Sequence, residues 1–397
     1  MSERKLEARA VARLTNVAGI AGQRGRTVGS WLDLARSVGA RSTLRRLRGG
    51  GPGAFPSEVR DRVYAEIWRE AAGRLGADVR DLGSGFLEIG RGGGAPWLKV
   101  WQQVVPLDDP VTLRLALDKP VVHGLLRDAS VPVPEHLEWS FSDYAPALEF
   151  VAAAQGPCVV KAASGTGGGE GTTAGVDSPA RLMRARLRAG RFGGRLLIER
   201  QVPGPVYRLL FLDGELIDVI RHVPPRLTGD GHATVEGLIA AENERRLSAA
   251  GEAGLSLLDV GLDTIFTLER QGLKLASVVA AGKEIAVQTV TNDNRIEDTE
   301  TIRDGLHPEL VEASRRAALA VGLRLAGVDV ITPDGAQPLE QTGGVVAEVN
   351  GTPGIHHHYH VADRANATPV AVPILERALQ EHERGRPSTD SERETVA

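Results

Sequence analysis

The stretch VYRLLFLDGELIDVIRHV (206–223) restricts the fold of this chain more than any other. Two apolar runs flank Asp213-Gly214, a dipeptide suited to the positive-φ positions of a tight hairpin turn. An antiparallel hairpin is therefore predicted, so the chain must build at least one sheet from sequence neighbours. Arg208 and Arg221 interrupt its apolar pattern, and Arg226 follows just beyond. Arginine inside a strand pattern favours bidentate pairing with a carboxylate or phosphate. Salt bridging across the hairpin is the ordinary alternative.

Strand and helix patterns alternate on both sides of this hairpin. Residues 56–75 read as an amphipathic helix, because Val59, Val63, Ile67, Ala71 and Leu75 recur at helical spacing. VRDLGSGFLEIG (79–90) reads as strand, turn and strand, and WLKVWQQVVPL as a further strand. Asp118, followed by Lys119-Pro120, signals the start of a helix over 118–129. A helix is expected over 142–155 with Ser142 or Asp143 as its cap. PCVVKA (157–162) and RLLIER (195–200) are strands on either side of a helix at 178–189. Beyond the hairpin the expected elements are helices at 234–249, 307–322 and 368–382, with strands at 284–291, 326–332 and 345–350. The fold class is α+β or α/β, with a small N-terminal α/β domain over 1–115. GGGPG (49–53) is a break after an arginine-rich arm, and the polar tail 383–397 is expected to be disordered.

Composition narrows the function. The chain has 397 residues and a formal net charge of -4, so it shows no bias towards a nucleic-acid partner. Its apolar runs are too short to span a membrane, and its charged N-terminus lacks the apolar core of a secretory signal. One cysteine, Cys158, excludes an internal disulfide and fits a reducing cytoplasm. Only six lysines occur, so those set in apolar surroundings draw notice.

Lys161 closes the strand PCVVKA, directly before the glycine-rich loop SGTGGGEGTT (164–173). Glycines let a backbone approach phosphate oxygens with its N–H groups as donors. The loop lacks the Gly-Lys-Ser/Thr ending of a P-loop, and no convincing helix opens after it. What remains is a mobile loop between strands, with a plain flexible hairpin as the alternative. Lys161 could meet a phosphate as a point charge, or lie on the exposed face of an edge strand. Lys119 sits at a helix start, where anions bind well. Asp329 lies within AGVDVITP, and Glu348 and Asn350 share one face of VVAEVN. Two carboxylates and an amide form an all-oxygen set suited to magnesium. Glu199 closes the strand LLIER before Val202 and a Pro-Gly turn, a setting that suits an adenine pocket or a strand-end charge.

Taken in order, Asp118-Lys119, Val-Val-Lys161 with its loop, Ile198-Glu199, Asp329 and Glu348-Val349-Asn350 followed by Thr352-Pro353-Gly354 resemble the ATP-grasp ligases. GPVYRLLFLDGELIDVIRHVPP, LTGDGHATVEGLIAAENERR, GLRLAGVDVITPD and VVAEVNGTPGIHHHYH are most similar to the ATP-grasp portion of cyanophycin synthetases. The resemblance covers about residues 115–380. It implies two α+β subdomains clamping ATP, at 116–203 and 204–382. It further implies a carboxylate–amine ligase that acts through an acyl phosphate on amino acid or peptide substrates. The sequence does not set the assembly, for which a homodimer is the general default. Lys119 and Lys161 would contact the ATP phosphates, and Ser164, Gly165, Gly167, Gly168 and Gly169 would close over them. Glu199 and Val202 would hold adenine, while Asp329, Glu348 and Asn350 would hold two magnesium ions. Arg208 and Arg221 would face the transferred phosphate or the donor carboxylate, with Lys161 as the third catalytic residue.

The chain also departs from that pattern. Val206 stands where many relatives place the acid that binds ribose. The chain ends at residue 397, so the second, Mur-ligase-like domain of a full cyanophycin polymerase is not expected within it. The segment TNDNRIEDTE (291–300) is an insertion expected to shape the acceptor site. His356, His357, His358 and His360 have a spacing open to zinc, but no cysteine or partner motif supports it. A substrate-lining loop is expected instead, in which a neutral imidazole assists deprotonation of the amine. A carboxylase or phosphotransferase on the same scaffold is one alternative, although no biotin-binding segment is visible. A nucleotide-binding module without turnover is another, which Val206 would favour.

Overall fold

The computed structural model describes residues 57–92, 97–167, 169–249, 251–252, 254–291 and 296–384. The basic arm, the glycine break at 49–53, Gly168, positions 292–295 of the expected insertion and the tail beyond 384 lie outside the described residues.

Helix α1 (Ser57–Arg74) forms as its spacing predicts and buries Val63, Tyr64, Ile67, Trp68 and Ala71. It packs on an antiparallel three-stranded sheet of β1 (Asp78–Gly83), β2 (Phe86–Gly90) and β3 (Leu98–Trp101). A short helix, α2 (Pro110–Ala116), follows, capped by Asp109, whose side chain accepts from the N–H groups of Val111 and Thr112. No element was expected there. Helix α3 (Lys119–Asp128) starts at Asp118 as its sequence signals.

Next come β4 (His136–Ser140), α4 (Ala145–Ala153), β5 (Cys158–Ala162), β6 (Thr173–Val176), α5 (Pro179–Ala189) and β7 (Arg195–Arg200). Tyr144, rather than Ser142 or Asp143, is the N-cap of α4, and it makes no side-chain capping bond. The four strands form an antiparallel sheet in the order β4-β7-β5-β6. One face buries Val160, Leu196 and Ile198 with Leu182 and Ala185 of α5.

Strands β8 (Val206–Leu212) and β9 (Glu215–His222) form the expected hairpin, with Asp213 and Gly214 at φ of 52° and 80°. Strand β10 (Arg226–Thr228), α6 (Val235–Ser248), α7 (Leu262–Arg270) and β11 (Glu284–Ala286) make a small unit with its own apolar cluster. The strand expected over 284–291 is only three residues long, and α7 was not foreseen. Its N-cap is Gly261, with no side-chain bond to announce it.

The remaining elements are β12 (Thr299–Thr301), α8 (Pro308–Val321), β13 (Leu325–Ile331), α9 (Leu339–Thr342), β14 (Val345–Asn350) and α10 (Ala371–Arg384). Strand β12 shows that the described part of segment 291–300 extends the central sheet, whose antiparallel order is β12-β9-β8-β13-β14. Helix α8 covers one face of this sheet with Leu310, Ala313 and Ala317. Helix α10 returns to the N-terminal unit, where Ile374, Leu375 and Leu379 share a core with Tyr64, Trp68 and Leu87. Among the described residues, no helix is long and apolar enough to cross a membrane.

Candidate active site

Strand alternation places the charged residues of the smaller sheet. Lys161 is paired with Leu197, and Val159 with Glu199. Cross-strand partners share a face, so Val159, Lys161 and Glu199 lie together, opposite the face that packs on α5. The charged face forms one wall of a cleft with a cavity volume of about 290 Å³. Lys119 reaches the same wall because α3 is stitched to β5. The Lys119 N–H donates to the Ala163 carbonyl at 2.9 Å. Asp118, its cap, is held by Arg195 at 2.7 Å.

The central sheet supplies the opposite wall. Tyr207 and Leu209 face α8, so Val206 and Arg208 point the other way, into the cleft. Asp329 is paired directly with Arg208 on one side and Glu348 on the other, so strand register brings both carboxylates to one spot. Val202, Pro203 and Gly204 join the two walls. Gly204 has φ of 122°, and a Cβ there would lie 2.3 Å from the Thr332 carbonyl oxygen. Only glycine lets this connection pass so close to the end of β13.

Each cation at the centre has a carboxylate partner. Lys161 Nζ lies 2.8 Å from Glu199 Oε1, and Lys119 Nζ lies 3.5 Å from Glu348 Oε1. Arg208 donates to both oxygens of Asp329 at 2.7 Å, and Asn350 Nδ2 donates to Asp329 Oδ2 at 3.2 Å. Burial alone would raise the Glu348 carboxyl. Lys119, Lys161 and Arg208 outweigh it and hold the group below the usual carboxylate range. His123 lies 3.7 Å from Glu199, and burial pushes its imidazole down to about 4. The site is a set of mutually compensated pairs beside imidazoles that burial keeps neutral. Such pairs can be separated by a ligand that brings both anionic groups and a cation of its own.

No known family profile matches the chain. Over 268 residues it is 32% identical to the cyanophycin synthetase of Synechocystis sp., covering 66% of this chain and 30% of that protein. Over 253 residues it is 26% identical to the glutathione biosynthesis bifunctional protein of Clostridium perfringens, covering 63% of this chain and 32% of that one. The bifunctional glutathione synthetase of Pasteurella multocida aligns in structure with a TM-score of 0.50 and 20% identity, over 80% of this chain and 43% of its own. The chain has the ATP-grasp fold and resembles the cyanophycin synthetases. It spans about 30% of the length of the cyanophycin synthetases it matches.

Most of the residues singled out in the sequence converge in this ATP-grasp cleft. Lys119, Lys161, Gly167, Gly169, Glu199, Val202, Arg208, Asp329 and Glu348 line it. Asn350 touches it through Asp329. Ser164 bridges to Asp118 beside the cleft, and Gly165 is exposed. Arg221 is a correction. It lies opposite Tyr207, on the α8 side of the sheet, and pairs with Glu300 at 2.5 Å. The cause is a bulge. Near the turn, Leu212 pairs with Glu215 and Phe211 with Leu216, a count that would set Arg221 opposite Val206. The register shifts after Phe211, and a one-residue slip turns every later side chain over. His222 takes the cleft-facing place instead, and the run's His357 joins it there. The reading from sequence also missed Gln201, which lines the cleft without any motif to mark it.

Proposed function

We propose that this protein is an ATP-dependent carboxylate–amine ligase that works through an acyl phosphate. The carrying observation is the convergence of Lys119, Lys161 and Arg208 on Glu348 and Asp329, between two sheets and under a glycine-rich loop. On this reading ATP transfers its terminal phosphoryl group to a substrate carboxylate, leaving ADP. An amine then attacks the acyl carbon and phosphate departs. Lys119 and Lys161 neutralise the phosphates, and Arg208 the charge that grows on the transferred group. The loop from Ser164, with Gly165, Gly167, Gly168 and Gly169, closes over the nucleotide and keeps water from the acyl phosphate. Glu199 and Val202 form the adenine end. Residues 116–203 and 204–382 are the two halves of the clamp.

Among the described residues, no group of three or more histidine, cysteine, aspartate or glutamate side chains is arranged to hold a metal. Magnesium does not need one, since one or two carboxylates suffice when nucleotide phosphates and water complete its shell. The residues fit it on those terms, with Glu348, Asp329 and Asn350 as the protein's share. When bound, the ion would neutralise phosphate charge. For Asp329 to take part, Arg208 must turn from it towards the phosphoryl group.

Amino acids or peptides are the proposed substrates, in line with the relatives' chemistry. The cytoplasm is the proposed compartment, which the single buried cysteine fits, and a homodimer the proposed assembly. The test is ADP release against a matrix of amino acid carboxylates and amines, with product mass as the second readout. A pair giving ADP and a mass equal to the condensed product supports the reading. ATP binding without ADP release across the matrix would favour a binding module.

A further inference from the structure

His356, His357 and His358 of the run HHHYH and His222 of β9 cluster at one end of the cleft, and His360 of the run packs on His356 outside it. Three of these five rings have a fixed partner. His356 Nδ1 meets the Tyr64 hydroxyl at 2.6 Å. His358 Nδ1 meets Asp218 Oδ2 at 2.6 Å, and the other Asp218 oxygen accepts from Thr368 Oγ1 at 2.6 Å. His222 Nδ1 lies 3.0 Å from Thr299 Oγ1. The fourth, His360, lies away from the cleft beside Tyr359 and Arg364.

His357 is unlike the others. It lines the cleft with Arg208 and Glu348, and among the described residues neither of its ring nitrogens makes a hydrogen bond. Its ring is held by packing alone, with centroids 4.0 Å from His356 and 5.3 Å from His222. A ring that is fixed in orientation yet unengaged at both nitrogens is suited to meet a substrate. The groups facing it are Arg208 of β8, His222 of β9, and His356 and His358 of its own turn. Arg60 and Tyr64 of α1 face His356 behind it. Burial above all, with help from these neighbours, holds the ring neutral at physiological pH, the form that accepts a proton.

We propose that His357 is the proton acceptor for the attacking amine. The inference rests on the ligase reading. The amine's lone pair forms the new C–N bond, and the electron pair of the C–O bond leaves with phosphate. An amino acid arrives as an ammonium ion. The proton that must leave first, to free the lone pair, passes to a ring nitrogen of His357, and the departing phosphate takes the proton left on nitrogen after attack. A weakly basic imidazole then gives its proton up to water, so the ring ends the cycle neutral. His222 is a positioning residue, anchored through Thr299 and packed edge-on against the ring.

The test compares two nucleophiles on one acyl phosphate. The twenty standard amino acids serve as carboxylate donors, and hydroxylamine or the same amino acids serve as nucleophiles. Hydroxylamine is unprotonated at neutral pH and needs no base, whereas an amino acid arrives as an ammonium ion. In His357→Asn and His357→Gln the ratio of dipeptide to hydroxamate is expected to fall by about 100-fold. Dipeptide formation by these variants should then recover as pH rises and free amine accumulates. Hydroxamate also reports that the variant is folded and its nucleotide site intact. A ratio within about three-fold of wild type would overturn the proposal, as would a proportional loss of both products, which marks a structural role. If the wild-type protein makes neither product, the ligase reading fails for this class of carboxylate, and this inference with it. That failure shows in the wild type, and so differs from failure of the His357 role.

Discussion

Arg208 and Asp329 meet through two parallel hydrogen bonds of 2.7 Å, with both side chains about nine-tenths buried. Removing one partner strands the other charge in a poorly solvated wall. Arg208→Ala should therefore lower stability by about 3 kcal/mol in urea denaturation and reduce ADP release at least about 100-fold. Arg221 pairs with Glu300 in a far more exposed setting. Arg221→Ala should change stability by less than about 1 kcal/mol and leave ADP release within a few-fold. Equal damage from the two variants would show that the face assignment is wrong. Both arginines look alike in the sequence, because each interrupts an apolar strand pattern. Only the register shift after Phe211 separates them, and no residue type in that hairpin announces it. Lys161 and Glu199 were easier to read, since their strands pair without a shift and their spacing alone sets the face.

Among elements, chemical punctuation marked several helices but did not decide them all. Helix α2 has Asp109 and a proline at its start and was not expected, while α4 was expected although Tyr144 makes no capping bond. Helix α3 has Asp118 and a proline at its start, α5 has Ser178, and α8 has Pro308 at its start and Gly322 in the left-handed region at its end. Helix α7 begins at Gly261 with no capping side chain, and its register is fixed by tertiary bonds instead. Asp263 of α7 accepts from the N–H groups of Ala174, Thr289 and Val290, tying β6 to the 289–291 edge of the cleft. Such long-range bonds leave no local pattern. The connection between β7 and β8 carries a similar constraint in the fit of Gly204 against Thr332. Gly204→Ala introduces a Cβ into backbone and forces a residue with a side chain to hold a φ of 122°. A loss of more than about 2 kcal/mol is expected in denaturant titrations. An alanine variant as stable as wild type would mean that the two walls tolerate a different spacing.

At the scale of the whole molecule, the chain's two described ends meet in one core, where α1 and α10 pack together over the three-stranded sheet. That convergence carries the histidine turn, which lies just before α10, against Tyr64 of α1. The result is a protein with several imidazoles in dry surroundings. Burial holds His222, His356 and His357 well below their ordinary range, and His123 and His360 at about 4. The unfolded chain takes up protons on these side chains near pH 6.5, while the folded chain does so only at lower pH. Between those values the unfolded state binds more protons, so stability must fall as the solution is acidified. The contribution of His123 is fully present above about pH 6.5 and lost progressively down to about pH 4. By pH 5 the loss from this one side chain is about 2 kcal/mol. Urea titrations at pH 7 and pH 5 should show the wild-type protein weakened on acidification, with His123 contributing about that much. The carboxyls of Asp108 and Asp263, raised by burial, work against it. His123→Leu keeps an apolar side chain beside Glu199 and cannot be protonated, so its stability should depend less on pH over the same interval, by about 2 kcal/mol. An unchanged dependence would place the acid sensitivity elsewhere, first among the rings packed between the cleft and α1.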